Sequence, residues 1–350
     1  MQNIGRYHNV TIREIARQAD TSVSTVSRVL RGLNYPVKEE LRQRVLAVAQ
    51  ELNYQPNLLG RYLKSSGSSD IGVIIPNISN PFYSVLLIGI EQVLNENGLS
   101  MLLCNSFRDE EKEKRYVSLL RQKQVKGLII ASIASNHEYL SQHIREGLKV
   151  VTFDQAVQDI DCCRISMDYE KGCQLVMEYL FAKGHSKIGF MSAPLTRMNR
   201  KLIYGGYLKA LRAAGLEAEA QWKYITDSEV EMNGEVYEFE NGRKLARHFL
   251  KYKRRPTAVV VINDMTAYGV MHELAGRGIK IPDDLSIVSF DNIFFSQITT
   301  PALTTVSYST YGMGRMAAEQ LLETMQSPHT LRTNVLLAPQ LVERQSVKQL

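Results

Sequence analysis

Residues 11–30 read TIREIARQADTSVSTVSRVL, and this stretch decides the first of two folds in the chain. Thr11 followed three residues later by Glu14 is a capping box: the hydroxyl accepts the third helical amide and the carboxylate reaches back to the cap. Ile12, Ile15, Ala16 and Ala19 then recur at helical spacing. Asp20-Thr21 breaks the pattern, and Ser22 can cap a second helix running to Leu30. Gly32 to Pro36 reads as a loop. Lys38 to Leu52 reads as a third helix, with Leu41, Val45, Val48 and Leu52 on one stripe. Two short helices about a tight turn, braced by a third, form a helix-turn-helix unit. The next segment, 56–64 (PNLLGRYLK), has Pro56 where a helix can start, but it is too short to be stable alone. SSGSSD (65–70) is a flexible linker and the clearest boundary.

From residue 71 the pattern changes to near-continuous apolar runs alternating with amphipathic segments. The strand candidates are Ile71–Ile75, Met101–Cys104, Gly127–Ala131, Val150–Phe153, Lys187–Met191, Ala258–Ile262 and Leu285–Phe290. Helices are expected over Tyr83–Glu96, Lys112–Gln122, Lys171–Lys183, Lys201–Ala214 and Thr266–Gly276. Such alternation makes doubly wound α/β sheet, and about 280 residues are too many for one sheet of an ordinary domain. The expected organisation is therefore an all-α headpiece (1–55), a connecting segment (56–70) and an α/β core (71–350) of two parallel-sheet lobes. Ligands of these sheets sit outside the C-terminal strand ends. Those ends carry Asn77-Ile78-Ser79-Asn80, Asp154, Asn263-Asp264 and Asp291-Asn292.

Charge is unevenly placed. Residues 1–64 hold ten Lys/Arg and five Asp/Glu, which supplies five of the net +6; the rest of the chain is nearly neutral. A basic module on a neutral body points to a polyanion partner. With 44% hydrophobic and 22% charged residues, the chain can bury a core and is not expected to be disordered. No apolar run approaches the length of a membrane span, and MQNIGRYHNV has no apolar leader. The four cysteines (104, 162, 163, 173) form no CxxC pair, so reduced thiols of a cytoplasmic protein are expected. No Ser–His–Asp arrangement, GxxxxGK[ST] loop or metal-ligand spacing stands out, so neither an enzyme nor a metal or cofactor is expected.

The order TIREIARQADTSVSTVSRVLRG, LNYQPNLLGRYLK, IGVIIPNISNPFY resembles the LacI/GalR family of bacterial transcription regulators. The resemblance continues through VVTFD (150–154), MDYEKG (167–172), GHSKIGF (184–190), IND (262–264), RGIKIPDDLSIVSFDN (277–292) and PALTTV (301–306). It implies a DNA-binding headpiece, a hinge helix within 56–70, and a core like periplasmic sugar-binding proteins that binds an effector and dimerises. A free transport protein is disfavoured by the headpiece. Val23, Ser24 and Arg28 are then the base readers, because Ser24 and Arg28 share a face and Arg can donate twice to guanine. Ser22, Thr25, Ser27, Arg31 and Tyr35 position the backbone on phosphates. Thr11, Asn57 and Gly60 join the DNA-facing set, and Leu63 resembles the hinge leucine that wedges into the minor groove of a near-palindromic operator.

Three residues depart from the family pattern: Asp20 and Gly60 replace the usual Gly and Ala, and Ile203 stands where a cation often precedes the Gly206-Tyr207 pair. The effector candidates are Asn77, Ser79, Asp154, Arg197, Asn263, Asp264 and Asp291, with Phe82 able to stack on a ring. Asp264 is the weakest, since an Asp opening a helix is often a cap. Several carboxylates and amides with one Arg suit the hydroxyls of a neutral sugar; a phosphorylated sugar, a nucleobase or a protein co-effector are the alternatives. The acidic stretch Glu229–Glu240, with its Asn233-Gly234 hairpin signal, reads as a solvated loop that can overhang the cleft. His185 and the run Lys251–Arg255 read as structural.

Overall fold

The computed structural model describes residues 10–30, 36–54, 70–154, 160–229, 236–327 and 333–350. The chain divides into two compact units, 1–66 and 67–350. In the first, α1 (Ile12–Gln18), α2 (Val23–Leu30) and α3 (Glu39–Glu51) close on Ile15, Ala19, Val26 and Val45, all fully buried. The capping box forms in full at Thr11 and Glu14. Asp20 takes a left-handed φ of 47°, and Thr21 N–H bonds the Ala16 carbonyl at 3.0 Å, closing α1 as a Schellman turn. Asp thus replaces Gly there because its short side chain tolerates this backbone. Arg44 of α3 donates to the Ala19 carbonyl at 3.0 Å and ties the third helix to the turn.

The second unit holds two sheets among its described residues. Lobe 1 is ordered β2-β1-β3-β4-β5-β11, from β1 (Asp70–Ile75), β2 (Ser100–Asn105), β3 (Gly127–Ile130), β4 (Lys149–Asp154), β5 (Cys163–Met167) and β11 (Asn334–Leu337), all parallel. Lobe 2 is ordered β7-β6-β8-β9-β10-β12, from β6 (Ile188–Ser192), β7 (Lys223–Ile225), β8 (Ala258–Val261), β9 (Ser286–Phe290), β10 (Thr304–Ser307) and β12 (Gln340–Val342); β12 alone runs antiparallel. The seven strands expected from apolar runs are present. β5, β7, β10, β11 and β12 were not anticipated: CRISM, KYI and TTVS are short or mixed, and β11 and β12 are only partly covered.

Helices α4 (Pro81–Glu96), α5 (Glu110–Gln122), α6 (Glu138–Arg145), α7 (Tyr169–Ala182), α8 (Met198–Ala213), α9 (Tyr237–Leu250), α10 (Asp264–Ala275) and α11 (Thr310–Gln326) cover the sheets. The chain passes between lobes three times. α7 leaves β5 of lobe 1 and packs on α8 of lobe 2; α11 leaves β10 of lobe 2 and packs on α4 of lobe 1. The last crossing joins β11 to β12. One apolar cluster accordingly runs from Phe153 and Met167 through Tyr169 and Cys173 to Phe190 and Tyr207.

Helix α9 approaches α10 at backbone contact: a Cβ on Gly269 would lie 1.9 Å from the Phe239 carbonyl oxygen, and one on Gly242 2.0 Å from that of Thr266. Gly269→Ala must push the helices apart, so the core should lose about 1–3 kcal/mol or more, the usual cost of overpacking. Thermal unfolding measures this; Gly205→Ala, exposed in α8 with nothing within 4 Å, is the control and should stabilise by up to about 1 kcal/mol, as Ala is the better helix former.

Candidate functional site: the cleft between the lobes

The C-terminal strand ends of the two lobes face one another, and the backbone there is bent into rare conformations. Asp154 ends β4 at φ 64°, Phe107 and Arg108 follow β2 at φ 52° and 56°, and Asp291 and Asn292 follow β9 at φ 107° and 48°. Left-handed non-glycine residues cost energy and gather where a side chain must be aimed. These turns bring Asp154, Asp291 and Arg108 toward a common space.

Two carboxylates that no sequence signal singled out organise that space. Glu229, in the loop after β7, meets Arg200 Nη2 at 2.5 Å and Nη1 at 3.0 Å, Arg197 Nη2 at 3.1 Å and Arg108 Nε at 3.1 Å. Glu238, on the first turn of α9, pairs with Arg108 Nη2 and accepts from Asn80 Nδ2 at 3.1 Å and Asn77 Nδ2 at 3.4 Å. The Arg108 guanidinium also lies over the Tyr237 ring, 5.0 Å from its centroid. The stretch 229–240 was expected to be a solvated loop that can overhang the cleft, and its described ends do border the cleft. They are not solvated: the side chains of Glu229 and Glu238 are only 11% and 5% exposed, because three guanidinium groups repay their burial. Asn233-Gly234 lies outside the described residues. Burial alone would raise the Glu229 carboxyl, but Arg197, Arg200 and Arg108 together hold it at about 2.

The expected effector residues do not all share one environment. Asp154, Arg197, Asn77 and Asp291 share the cleft. Asp154 accepts from Tyr83 OH at 3.1 Å and from Tyr169 OH; Asn77 Oδ1 takes the Ser79 amide at 2.8 Å while Ser79 itself is exposed. Asp291 has no hydrogen-bond donor to its carboxylate among the described residues. Burial, with Asp264, Asp154 and Glu238 nearby, pushes its carboxyl well above the ordinary range.

Asp264 is a correction. Its carboxylate is fully buried and taken up by Ser289 and Ser296 hydroxyls, Thr305 Oγ1 at 2.6 Å and the Ile293 amide at 2.9 Å, so it braces lobe 2 and has no capacity left for a ligand. The cap expected of it falls to Asn263, whose Oδ1 accepts the Thr266 amide at 2.9 Å; a ligand can reach only what remains of that side chain. Phe82 is a second correction: it is buried, edge-on to Tyr83 at 5.2 Å, as part of the lobe 1 core rather than a stacking wall. Ile203 is likewise core. The cation missing there is supplied one turn earlier by Arg200, with Arg197 before it. A helical i, i+3 argument applied to α8 could have found Arg200.

On the headpiece, Val23 and Ser24 are exposed at the start of α2 while Val26 and Val29 are buried, so the helix presents its N-terminal face outward. Ser22 Oγ accepts the Thr25 amide at 3.1 Å and lies 2.8 Å from both Ser24 Oγ and Thr25 Oγ1. Ser27 and Arg28 are half-buried, and Thr11 is exposed. Arg31, Tyr35, Asn57, Gly60 and Leu63 lie outside the described residues. His185 bonds Thr257 Oγ1 and the Lys348 carbonyl, and Arg255 returns to the Leu250 and Tyr252 carbonyls, as structural residues do.

The Glu229 pair generates a pH prediction. A carboxyl held at about 2 against an ordinary 4.5 contributes stability that is complete above pH 4.5 and lost as pH falls toward 2. Glu229→Gln should cost about 3–5 kcal/mol near neutrality, because it strands buried arginines. The gap from wild type in thermal unfolding should close as the pH is lowered through that window.

Comparison with known proteins places this geometry. Residues 11–57 match the model "Bacterial regulatory proteins, lacI family", and 177–347 match "Periplasmic binding protein-like domain". The HTH-type transcriptional regulator RegA of Clostridium saccharobutylicum is 33% identical over 96% of this chain and 98% of its own. The ribose operon repressor of Escherichia coli (strain K12) is 33% identical over 96% and 99%. The lac repressor dimer bound to operator and the anti-inducer ONPF superposes with a TM-score of 0.84 at 26% identity, covering 97% of this chain and 99% of that one. The described core has no helix long and apolar enough to cross a membrane. A helix-turn-helix with an outward recognition face, a two-lobed core and 33% identity over nearly the whole length of a relative lead to one conclusion: the chain belongs to the lacI family of bacterial regulatory proteins, DNA-binding transcription regulators with a ligand-binding core.

Proposed function

We propose that the chain is a dimeric repressor whose operator affinity is controlled by a neutral carbohydrate bound between the lobes. The charge balance of the cleft carries the ligand class. Arg108, Arg197 and Arg200 are all committed to Glu229 and Glu238, while Asp154 and Asp291 add two further carboxylates. A phosphate would enter an acid-rich space with its cations already paired. Hydroxyls instead bring the donors that Asp291 lacks among the described residues. An apolar ring wall of the kind a nucleobase needs is not supplied by Phe82.

The dimer rests on exposed apolar side chains in both lobes: Val85 and Ile88 on α4, and Phe294, Phe295 and Ile298 after β9, with Ile88 and Phe294 each about 60% exposed. A second copy would cover both patches, as the operator-bound relative is itself a dimer. Each headpiece then reads one half-site, with the 56–64 segments and Leu63 in the central minor groove.

Two measurements test the reading. Calorimetry against neutral sugars, sugar phosphates and purines should give binding to a neutral sugar; binding only to a phosphate or a purine overturns it. Asp291→Asn should cost about 1–3 kcal/mol of that sugar affinity, by mispairing a buried hydroxyl. The same variant should raise thermal stability near neutral pH, because the ionised carboxylate is disfavoured there and the amide is not.

For DNA, Arg28→Ala should weaken operator binding by about 1–3 kcal/mol and relax preference at one base position, whereas Arg31→Ala should weaken all sequences alike. Titration of operator and scrambled DNA at one salt concentration separates the two. Equal losses on both DNAs for Arg28→Ala would remove it from the base readers.

A further inference from the structure

Every polar contact of the Glu238 carboxylate described above comes from the opposite lobe. Its partners Arg108, Asn77 and Asn80 all lie on lobe 1 loops, while Glu238 begins α9 of lobe 2. Both sides are rigidly held. Arg108 N–H is fixed on the Pro76 carbonyl at 3.1 Å, and Asn80 Oδ1 caps α4 through the Phe82 amide at 3.0 Å. On the other side α9 is locked to α10 through Gly242 and Gly269 at backbone contact. The second bridge, Arg108 to Glu229, reaches the arginine pair of α8. The contacts are deeply shielded: the Arg108 and Glu238 side chains are each 5% exposed.

From this geometry we infer that Glu238 is the centre of a cross-lobe clamp, built from the chain's own side chains, that sets the closure of the core independently of any effector. The inference rests on the proposed effector reading only for its consequence. A sugar acts on a closure already specified by the clamp, so it shifts a population between clamped and unclamped cores rather than assembling the closed form from separate lobes. Glu238 and Arg108 are positioning residues in this scheme: they hold the two walls that carry Asp154 and Asp291.

The clamp is a single unit made from both lobes, which gives it a specific signature. Hydrogen exchange followed by mass spectrometry on the full chain, with no sugar added, should show the segments 105–109 and 237–242 exchanging about tenfold faster in Glu238→Gln and in Arg108→Gln than in wild type. The double variant should exchange more slowly than the two single effects added together, because both substitutions remove the same Arg108–Glu238 pair. Segments at the far strand ends, such as 127–128 and 286–287, should be unchanged, which separates opening from global unfolding. If one variant does not fold, the other decides. Wild-type exchange rates at the cleft in a folded variant overturn the clamp, as does additivity in the double variant; either result leaves the sugar reading standing. Conversely, failure of every sugar to bind overturns the sugar reading and leaves the clamp test intact.

Discussion

The cleft depends on one interaction, the meeting of Arg108 with Glu238 and Glu229 across it. Desolvating five charged groups is expensive, and their mutual attraction in a shielded space roughly offsets that cost. Such a network adds little net stability. What it contributes is a single permitted arrangement, because removing either carboxylate leaves buried guanidinium groups uncompensated. The turns at Asp154, Phe107-Arg108 and Asp291-Asn292 spend backbone strain to aim these side chains. Packing behind them, above all the α9–α10 contact at Gly242 and Gly269, keeps that strain from relaxing.

The three crossings make the cleft responsive. α7 and α11 each follow a strand of one lobe and pack on the other, so a change in lobe angle is expected to bend the chain where each helix begins. The continuous apolar cluster through Tyr169, Cys173 and Tyr207 resists compression, so movement is expected between packed arrangements rather than as gradual deformation. Tyr308, edge-on to Tyr169 at 5.8 Å and bonded to the Asp168 carbonyl, sits at one such crossing. A ligand biases the arrangements only by contacting them unequally. In the proposed site, Asp291 and Asp154 come from different lobes and can report that difference.

Much of the site was legible because strand ends are legible: Asn77, Asp154 and Asp291 follow apolar runs directly, and parallel sheets bind there. Asp264 and Phe82 misled for one reason. Residue type at a strand or helix end does not reveal whether neighbouring hydroxyls or a core will consume the side chain. Asp264 is taken by Ser289, Ser296 and Thr305, which lie 25 to 41 residues away in sequence. Glu229 and Glu238 were missed for the converse reason. An acidic, Gly-containing stretch looks solvated unless the arginines that bury it are known, and Arg108 lies 130 residues from Glu238.

The sequence by itself determined the local structure and the family. The capping box, the turn at Asp20, the apolar runs and the ordered motifs are short-range patterns, and their energetics are settled within a few residues. Tertiary structure decided which charges are buried together, which Asp is spent on structure, and that Arg200 rather than position 203 supplies the cation. Those outcomes depend on long-range pairing. A buried charge is tolerated only where a partner arrives from elsewhere in the chain, and no local pattern encodes that arrival.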